Sequence, residues 1–415
     1  MPIASGPGGN LGRGYDDIMA GPPMKVAFLI ERLDPARGGM ERSAVDFLAE
    51  LAAMGVEAHV VTQSAAETFP GIRIHALGCE GWTNEMQYRR FVTRAERFLS
   101  GQRWDVVHAI RPCLSCDVYQ PRGGLVKTGQ DRTIAARPTL LQKVLRRIGL
   151  LFDGKERLLG SLEQRLLTRK DPPLVLVPSH YVRRQVEAQY RLPDQSIRRV
   201  FNAVRISPPF GPDRATVRRR QRRDLGIEED RLAAIFVGHN FRRKGLARVI
   251  DVLADPRCTE WHLLVVGRDV EWPSRRRAQR LGVAERVHFL GERADVAELY
   301  WASDACVLPT YNDPCSRTVL EALSLGVPCI TTAYDGSSEC IRNGQQGFVI
   351  PSPDSRDLLA QALRALEDGT TRRYMSQQAQ DLAPVLSMRR HAAEVLHVYR
   401  EIAARRAGPL VLCPV

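Results

Sequence analysis

The chain has 415 residues, of which 44% are hydrophobic and 26% are charged, as in an ordinary globular protein. This length predicts two or three domains. The composition excludes collagen-like, coiled-coil and largely disordered chains, and no apolar run approaches the ~20 residues that cross a bilayer. Residues 1–23 are rich in glycine and proline and lack the apolar segment of a secretory signal, so we interpret them as a flexible leader.

The formal charge of +13 is concentrated in one part of the chain. Residues 120–224 contain 24 basic and 9 acidic residues, a net charge of +15, and the remainder sums to −2. Such a basic block indicates an anionic partner, and the candidates are an anionic membrane surface, a phosphorylated acceptor and nucleic acid. A solvated arginine-rich face without a partner is the alternative.

The nine cysteines are an odd number in a large chain, which argues against a disulfide framework. Cys113 and Cys116 form the one CxxC pair, whereas a structural zinc site needs two such pairs or additional histidines. We therefore expect small buried thiols, no metal and no cofactor.

Short apolar runs that are typical of buried strands alternate with helical patterns in the first half of the chain. Strands are predicted at 25–30, 58–62, 72–76, 105–109, 174–177 and 199–201. Residues 40–54 carry apolar side chains at helical spacing. This alternation predicts a parallel sheet with helices on both faces.

The pattern breaks over 205–230, where prolines and a run of arginines indicate a linker with a short helix. A second α/β set begins at 234–237. Its later strands are predicted at 263–266, 287–289, 305–308 and 329–332, and a last helix at 389–404. Two Rossmann-like halves therefore face each other, and the cleft at the carboxyl ends of their strands is the expected ligand site.

Two loops between a strand and a helix have features that suit an anionic ligand. Gly38 and Gly39 precede the first helix and allow close approach of the backbone to a ligand, although they do not form a GxGxxG dinucleotide fingerprint. The loop that opens the second half carries three consecutive cations, Arg242, Arg243 and Lys244. Cations beside helix-terminal amides are suited to phosphate groups.

The most informative segment reads PTYNDPCSRTVLEAL and starts a helix at Arg317 or Thr318. The amides of Thr318 and Val319 would lie at the helix N-terminus, where they can bind a diphosphate. Glu321 can accept hydrogen bonds from a ribose, and Asp313 can accept them from the hydroxyls of a transferred sugar.

Taken together, these segments resemble glycosyltransferases of the GT-B fold, retaining family 4, a family that includes lipopolysaccharide-core glucosyltransferases. The resemblance covers about residues 25–405 and is carried by KVAFLIERLDPARGGMERSAVDFLAEL, DVVHAI, FNAVRI, FVGHNFRRKG, LLVVGR, VHFLGE and PTYNDPCSRTVLEALSLGVPCITTAYDGSSECI. The last segment contains the E-x7-E region of the family, with Asp313 in place of the first glutamate.

The resemblance implies an α/β fold of two Rossmann-like domains whose parallel sheets face a central cleft. It divides the chain into a leader at 1–23, an acceptor-binding domain at 24–205 and a nucleotide-sugar-binding domain at 206–385. A helix at 386–405 would cross back to the N-terminal domain, followed by a tail at 406–415.

The resemblance also implies roles for individual residues. The implied donor-binding residues are Gly38, Gly39, Arg243, Lys244, Leu290, Asp313, Arg317, Thr318, Val319 and Glu321, and the implied catalytic residues are His108, Asp313 and Lys244. Glu321 would hold the ribose, and the backbone near Leu290 would meet the base. Gly39 would approach the phosphate from the first domain, while His108 and Asp313 would contact the donor sugar.

Family members transfer a sugar with retention of configuration and generally without metal. Arg243 and Lys244 would stabilise the leaving diphosphate by electrostatics. We therefore expect a UDP-linked nucleotide sugar as donor, a glycolipid or phosphorylated glycan such as lipopolysaccharide core as acceptor, and no cofactor. The expected location is cytoplasmic and peripheral, at the inner face of the cytoplasmic membrane, where residues 120–224 would contact anionic lipid.

Residues 140–151 (LLQKVLRRIGLL) are part of that basic block and have apolar and basic positions. An interfacial helix on anionic lipid has this pattern, and so does a helix whose leucines pack into a core.

Two other functions compete with a glycosyltransferase. A nucleic-acid-binding module would use the basic block, but it predicts aromatic residues interleaved with cations, and the aromatic residues there are few and dispersed. Another GT-B enzyme, such as a sugar-nucleotide epimerase or a phosphorylase, is the second alternative. A phosphorylase needs a lysine for pyridoxal phosphate, and the second half offers Lys244 alone.

Overall fold

The computed structural model describes residues 23–78, 80–137, 139–205 and 213–407. The predicted leader, apart from Pro23, and the predicted tail beyond Ala407 lie outside the described residues. The strands are β1 Lys25–Leu29, β2 Arg32–Leu33, β3 Glu57–Thr62, β4 Ser64–Ala65, β5 Ile72–Ala76, β6 Val106–Ala109, β7 Val118–Tyr119, β8 Leu174–Val177, β9 Ile197–Arg199, β10 Leu232–Val237, β11 Trp261–Val266, β12 Val287–Gly291, β13 Ala305–Leu308, β14 Cys329–Thr332 and β15 Gly347–Ile350.

Helices connect these strands and cover both faces of the two main sheets. The helices are α1 Gly39–Ala53, α2 Asn84–Ser100, α3 Val126–Ala135, α4 Leu140–Phe152, α5 Gly154–Leu167, α6 His180–Tyr190, α7 Arg214–Asp224, α8 Phe241–Lys244, α9 Leu246–Leu253, α10 Trp272–Arg280, α11 Val296–Ala302, α12 Arg317–Ser324, α13 Arg356–Ala365, α14 Gly369–Gln380 and α15 Met388–Ala407. No helix among the described residues is long and apolar enough to span a bilayer.

The N-terminal sheet has seven parallel strands in the order β5-β3-β1-β6-β7-β8-β9. The central strands β1 and β6 are apolar and buried because helices cover both faces of the sheet. The chain order reverses between β1 and β6, and open α/β sheets bind ligands beside the carboxyl ends of such strands. A short parallel pair, β2 and β4, lies beside this sheet.

The C-terminal sheet has six parallel strands in the order β12-β11-β10-β13-β14-β15, with its reversal between β10 and β13. Both sheets therefore have a Rossmann strand order. The loops after β10 and β13 carry the two segments that the sequence marks as phosphate and sugar sites.

The C-terminal helix α15 packs on the N-terminal domain. Its side chains Ala392, Leu396 and Tyr399 share one apolar core with Val26 and Phe28 of β1. The chain crosses between the domains in two adjacent segments, where the amide of Val204 donates to the carbonyl of Leu386 at 3.0 Å. The predicted GT-B architecture with a returning helix is thus confirmed.

Three details of the secondary structure differ from the sequence prediction. Strands β7 and β15 were not predicted, since β7 has only two residues and β15 starts at a glycine with a positive φ of 142°. The strand predicted at 199–201 lies at Ile197–Arg199 instead. It is an edge strand, and charged side chains are tolerated there because one edge is unpaired.

The arginine-rich end of the basic block forms α7, which packs on the C-terminal domain. Arg222 is buried and pairs with Asp304 at 3.3 Å, and Arg218 reaches the same carboxylate at 2.8 Å. Arg220 pairs with Glu298. This end of the block therefore belongs to an intramolecular ion-pair network.

Candidate active site

A cavity of about 490 Å³ lies between the carboxyl ends of the two sheets and is lined by both domains. The N-terminal domain contributes Gly39 at the start of α1 together with residues that follow β6 and β7. The C-terminal domain contributes the loops after β10 and β13 and the start of α12. The cleft that the sequence predicted as the ligand site is therefore present.

The loop after β10 is a tight turn that directs Lys244 toward the cavity. Asn240 adopts a left-handed conformation (φ 59°), and its side chain accepts a hydrogen bond from the amide of Arg243 at 3.1 Å. Gly245 has φ 82°, and a Cβ there would collide with the carbonyl of Pro309. Only glycine fits this position, which packs the loop against the segment that follows β13.

Lys244 and Asp313 form an ion pair in the cavity, and both side chains are mostly buried. The two loops that carry them are also tied through the backbone, because the amide of Tyr311 donates to the carbonyl of Arg243 at 2.8 Å. Arg243 lines the cavity beside them, and no carboxylate among the described residues pairs with it. A cation pair and a carboxylate thus meet at one end of the cavity.

The buried carboxylate of Asp335 is hydrogen-bonded to the loop that carries Asp313. Asp335 accepts hydrogen bonds from the amides of Ser316 (3.0 Å) and Ser337 (2.9 Å) and from the hydroxyl of Thr331 (3.0 Å). Burial and the neighbouring Asp313 raise the pKa of Asp335 to about 6. Sequence reasoning missed this residue, although it lies in the loop after β14, where a polar residue at a strand end would have been the signal.

The start of α12 also faces the cavity. Thr318 lines it, and its hydroxyl donates to the carbonyl of Val237 at 3.0 Å, which fixes the helix start against β10. Arg317 pairs with Asp46 of the other domain at 3.2 Å and with Glu321 at 3.1 Å. Arg317 is therefore a bridge between the domains.

The structure brings some of the predicted site residues together at the cavity and leaves others outside it. Those that line the cavity are Gly39, Arg243, Lys244, Asp313, Arg317 and Thr318. Those that do not line it are Gly38, His108, Leu290, Val319 and Glu321. Val319 has a fully buried side chain, so only its backbone could serve a ligand. Leu290 lies in β12 at the edge of the second sheet and is half-buried.

His108 is placed differently from the role that the family resemblance implied. It is fully buried, its Nδ1 is hydrogen-bonded to the hydroxyl of Tyr399 in α15, and its ring packs against Phe28 and Phe47. Burial holds the pKa of His108 well below its usual value. The structure does not bring this residue to the cavity and gives it a place in the core beneath α15.

Three arginines of the N-terminal domain, Arg111, Arg122 and Arg146, line the cavity. The sequence did not single out the first two for a site, and it marked Arg146 only as one of the basic positions within 140–151. Arg111 follows β6 and Arg122 follows β7, so a basic residue just after a strand was the available signal. No cluster of three or more metal-ligating side chains occurs in the described parts of the chain.

Comparison with known proteins gives two family matches. Residues 37–207 match Glycosyltransferase Family 4, and residues 217–382 match Glycosyl transferases group 1. The lipopolysaccharide glucosyltransferase WaaG of Escherichia coli (strain K12) is 28% identical over 396 residues, which are 90% of this chain and 98% of that protein. The lipopolysaccharide core biosynthesis mannosyltransferase LpsB of Rhizobium meliloti is 25% identical over 43% of this chain and 52% of its own length.

Solved structures share the fold. A crystal structure of WaaG has a TM-score of 0.73 at 24% identity and covers 90% of this chain and 99% of its own. Sucrose-phosphate synthase from Thermosynechococcus elongatus has a TM-score of 0.73 at 20% identity, with coverage of 92% and 100%. Anabaena HepE in complex with UDP-glucose has a TM-score of 0.64 at 18% identity, with coverage of 92% and 99%. With a family 4 domain followed by a group 1 domain in one GT-B fold, the chain belongs to the glycosyltransferases and is related to those of lipopolysaccharide core synthesis.

Proposed function

We propose that the protein transfers a sugar from a UDP-linked donor to a cell-envelope glycolipid or glycan of the lipopolysaccharide-core type, with retention of anomeric configuration. The observation that carries the proposal is the meeting of Arg243, Lys244, Asp313 and the start of α12 in one interdomain cavity. The names of WaaG and LpsB support the acceptor class, and the UDP-glucose complex of HepE supports the donor class.

In this proposal the donor diphosphate lies between the two loop cations and the first amides of α12. Negative charge grows on the diphosphate as its bond to the anomeric carbon breaks. Arg243 and Lys244 would stabilise that charge, and the amides of Thr318 and Val319 would add to the effect. No metal is needed for this stabilisation, and we propose a metal-free reaction.

Asp313 and Glu321 would change partners when the donor binds. Asp313, now paired with Lys244, would accept hydrogen bonds from the hydroxyls of the donor sugar. Glu321, now paired with Arg317, would accept them from the ribose, with the base against the backbone near Leu290. His108 has no part in this scheme because it is buried away from the cavity.

The donor proposal is tested by thermal shift with UDP-glucose, UDP-galactose, GDP-mannose and ADP-glucose. A donor that binds only the folded protein stabilises it by about 2.7 kcal/mol at one hundred times its Kd. We expect a UDP-linked sugar to raise Tm and the Arg243→Gln variant to lose most of this shift. The exposed neighbour variant Arg242→Gln serves as control. The absence of any shift with all four compounds would contradict the proposal.

The membrane part of the proposal rests on α4. No residue of α4 is fully buried: Leu150 is half-buried, and the seven other large apolar side chains are between 45% and 83% exposed. They are Leu140, Leu141, Val144, Leu145, Ile148, Leu151 and Phe152. The alternative that these leucines pack into a core is therefore wrong. An exposed apolar face with Lys143 and Arg147 on the same helix is typical of an interfacial helix on anionic lipid.

We place α4 on the inner face of the cytoplasmic membrane, with the cavity beside it. Arg146 of α4 lines the cavity, so an acceptor anchored in the membrane would reach the donor site from this side. We therefore propose a cytoplasmic, peripheral location for the protein.

Vesicle flotation tests this placement. We expect the wild type to float with vesicles of phosphatidylglycerol and phosphatidylcholine, and less with phosphatidylcholine alone. The double variant Leu141→Gln and Leu145→Gln should lose most of the binding, whereas Val270→Gln, an exposed apolar residue of the other domain, should retain it. Equal flotation of the wild type and the double variant would show that α4 does not contact the membrane.

A further inference from the structure

The cavity holds more positive charge than its own carboxylates neutralise. Six arginine and lysine side chains line it, against the two carboxylates Asp313 and Glu156. Lys244 pairs with Asp313, and Arg317 pairs with Asp46. The four remaining cations each have a buried nitrogen without a hydrogen-bond partner. They are Arg111, Arg122, Arg146 and Arg243.

Arg122 is held rigidly with one nitrogen unused. Its guanidinium lies over the rings of Phe28 and Phe47, at 5.7 and 5.0 Å from their centroids. Nε donates to Gln120 at 2.9 Å and Nη1 to Ser43 at 3.2 Å, which leaves the buried Nη2 without a partner.

Burial lowers the pKa of Arg122 to about 10, so the group stays charged at neutral pH. Asp46 stabilises this charge from a distance but is itself paired with Arg317, and no described carboxylate forms an ion pair with Arg122. A buried charge without a direct partner is costly, and a bound anion would lower that cost.

Arg111 and Arg122 lie at the same edge of the N-terminal sheet. They follow the adjacent parallel strands β6 and β7, whose carboxyl ends face the cavity. Arg146 lines the cavity from α4, the helix assigned to the membrane. The one carboxylate that lines this side, Glu156, accepts a hydrogen bond from Gln130 at 3.2 Å, and no described carboxylate pairs with the three arginines.

We propose that Arg111, Arg122 and Arg146 form an anion subsite on the acceptor side of the cavity, which takes a phosphate group carried by the acceptor. Guanidinium groups match phosphate geometry and bind it with paired hydrogen bonds. The subsite belongs to the N-terminal domain and is separate from Arg243 and Lys244, which are assigned to the donor diphosphate. The inference rests on the proposed glycosyltransferase function and deepens it by naming the charge on the acceptor.

The test is calorimetric titration of inorganic phosphate into the protein saturated with UDP, so that the donor subsite is already filled. We expect the wild type to bind one phosphate under these conditions. Arg111→Gln and Arg122→Gln should each weaken this binding at least tenfold, while UDP affinity changes less than twofold. Arg90→Gln, an exposed arginine of α2 outside the cavity, should bind phosphate like the wild type.

Two outcomes would overturn the subsite: no phosphate binding to the UDP complex, or unchanged phosphate affinity in both variants. Arg111→Gln keeps the test valid if Arg122→Gln fails to fold, since Arg111 is not stacked on the core rings. Failure of UDP itself to bind counts against the donor proposal instead. In that case the phosphate affinities of the wild type and of the Arg111→Gln variant, both measured without UDP, still test the subsite.

The phosphate could be carried by the acceptor sugar or by a lipid headgroup, and competition distinguishes these sources. Displacement of inorganic phosphate by glucose 6-phosphate, lost in Arg111→Gln, supports a sugar phosphate. Displacement only by phosphatidic acid in phosphatidylcholine vesicles supports a headgroup. If neither displaces inorganic phosphate, the assignment of this subsite to the acceptor is wrong.

Discussion

At the scale of single residues, the proposed sugar transfer depends on the ion pair between Lys244 and Asp313. The two residues lie in separate motifs, and the packing of Gly245 against Pro309 brings their loops together. In the proposed reaction, Lys244 would meet the leaving diphosphate and Asp313 would meet the sugar. The pair would therefore join the two halves of the donor.

Replacement of Lys244 by glutamine removes a cation from the position where negative charge develops. We expect kcat to fall about 10²–10³-fold, as for the loss of one preorganised electrostatic contact. Steady-state rates with the donor identified by thermal shift measure the effect. Arg242→Gln, two residues away and exposed, should keep a rate close to wild type. A Lys244→Gln enzyme with wild-type rates would show that Lys244 is not in the site.

Asp335 should leave a signature in the pH dependence of stability. The pKa of Asp335 is about 6 in the folded protein, compared with 3.8 for an ordinary aspartate such as one in the unfolded chain. The folded state therefore binds this proton more tightly than the unfolded state does. The contribution of protonated Asp335 to the free energy of unfolding is complete below about pH 4 and is lost as the pH rises through about 6.

In Asp335→Asn this titration is absent. We therefore expect the difference in the free energy of unfolding, wild type minus variant, to fall between about pH 4 and pH 7. Urea unfolding at several pH values measures it. A difference that stays constant or rises with pH would contradict the assigned pKa.

The residues that could be predicted from sequence are those in loops between a strand and a helix, such as Lys244 and Asp313. Asp335 and Arg122 were missed although each follows a strand, because the sequence does not show their burial or their partners distant in the chain. His108 shows the opposite case. The family resemblance implied a sugar contact for His108 in β6, and only the packing of α15 over it reveals a core position.

At the scale of elements, α15 is part of the N-terminal core although it follows the C-terminal domain. Leu396 is fully buried against that core, whereas the next residue, His397, is exposed. Leu396→Ala should lower the free energy of unfolding by about 2–5 kcal/mol because it removes buried apolar volume.

His397→Ala is the matched control on the same turn and should change stability by less than about 0.5 kcal/mol. Denaturant unfolding of both variants measures these effects. Equal stability of the two variants would show that α15 does not pack on the N-terminal domain as described.

The sequence predicts most strands because a strand buried on both faces must be apolar along its whole length. β8 and β13 have the predicted bounds for this reason. β7 was missed since two residues cannot show a pattern, and β9 was displaced because an edge strand can carry Arg198 and Arg199. The exposure of α4 was left open, since an amphipathic pattern fits both a core and a membrane surface.

At the scale of the whole molecule, the positive charge is divided between two uses. Arginines of α7 are neutralised by carboxylates of the C-terminal domain, which attaches this helix to the fold. Four arginines that line the cavity have no such carboxylate partner in the described structure: Arg111, Arg122, Arg146 and Arg243. The net charge of the basic block alone cannot distinguish these cases, because the distinction depends on which carboxylates the fold brings near.

The domains meet around the cavity through contacts from both sides. Arg317 reaches Asp46 across the cleft, and the hydroxyl of Tyr181 donates to the side chain of Asn312 at 2.7 Å. The proposed donor loops of one domain and the proposed acceptor-side arginines of the other thus line the same cavity. A donor and an acceptor bound there would be adjacent.

The most direct test is a crystal structure of the protein with the UDP-linked sugar that gives the largest thermal shift. We expect the diphosphate to lie within hydrogen-bonding distance of Arg243 and Lys244 and of the Thr318 amide, with the sugar beside Asp313. A diphosphate bound away from these three groups would contradict this expectation.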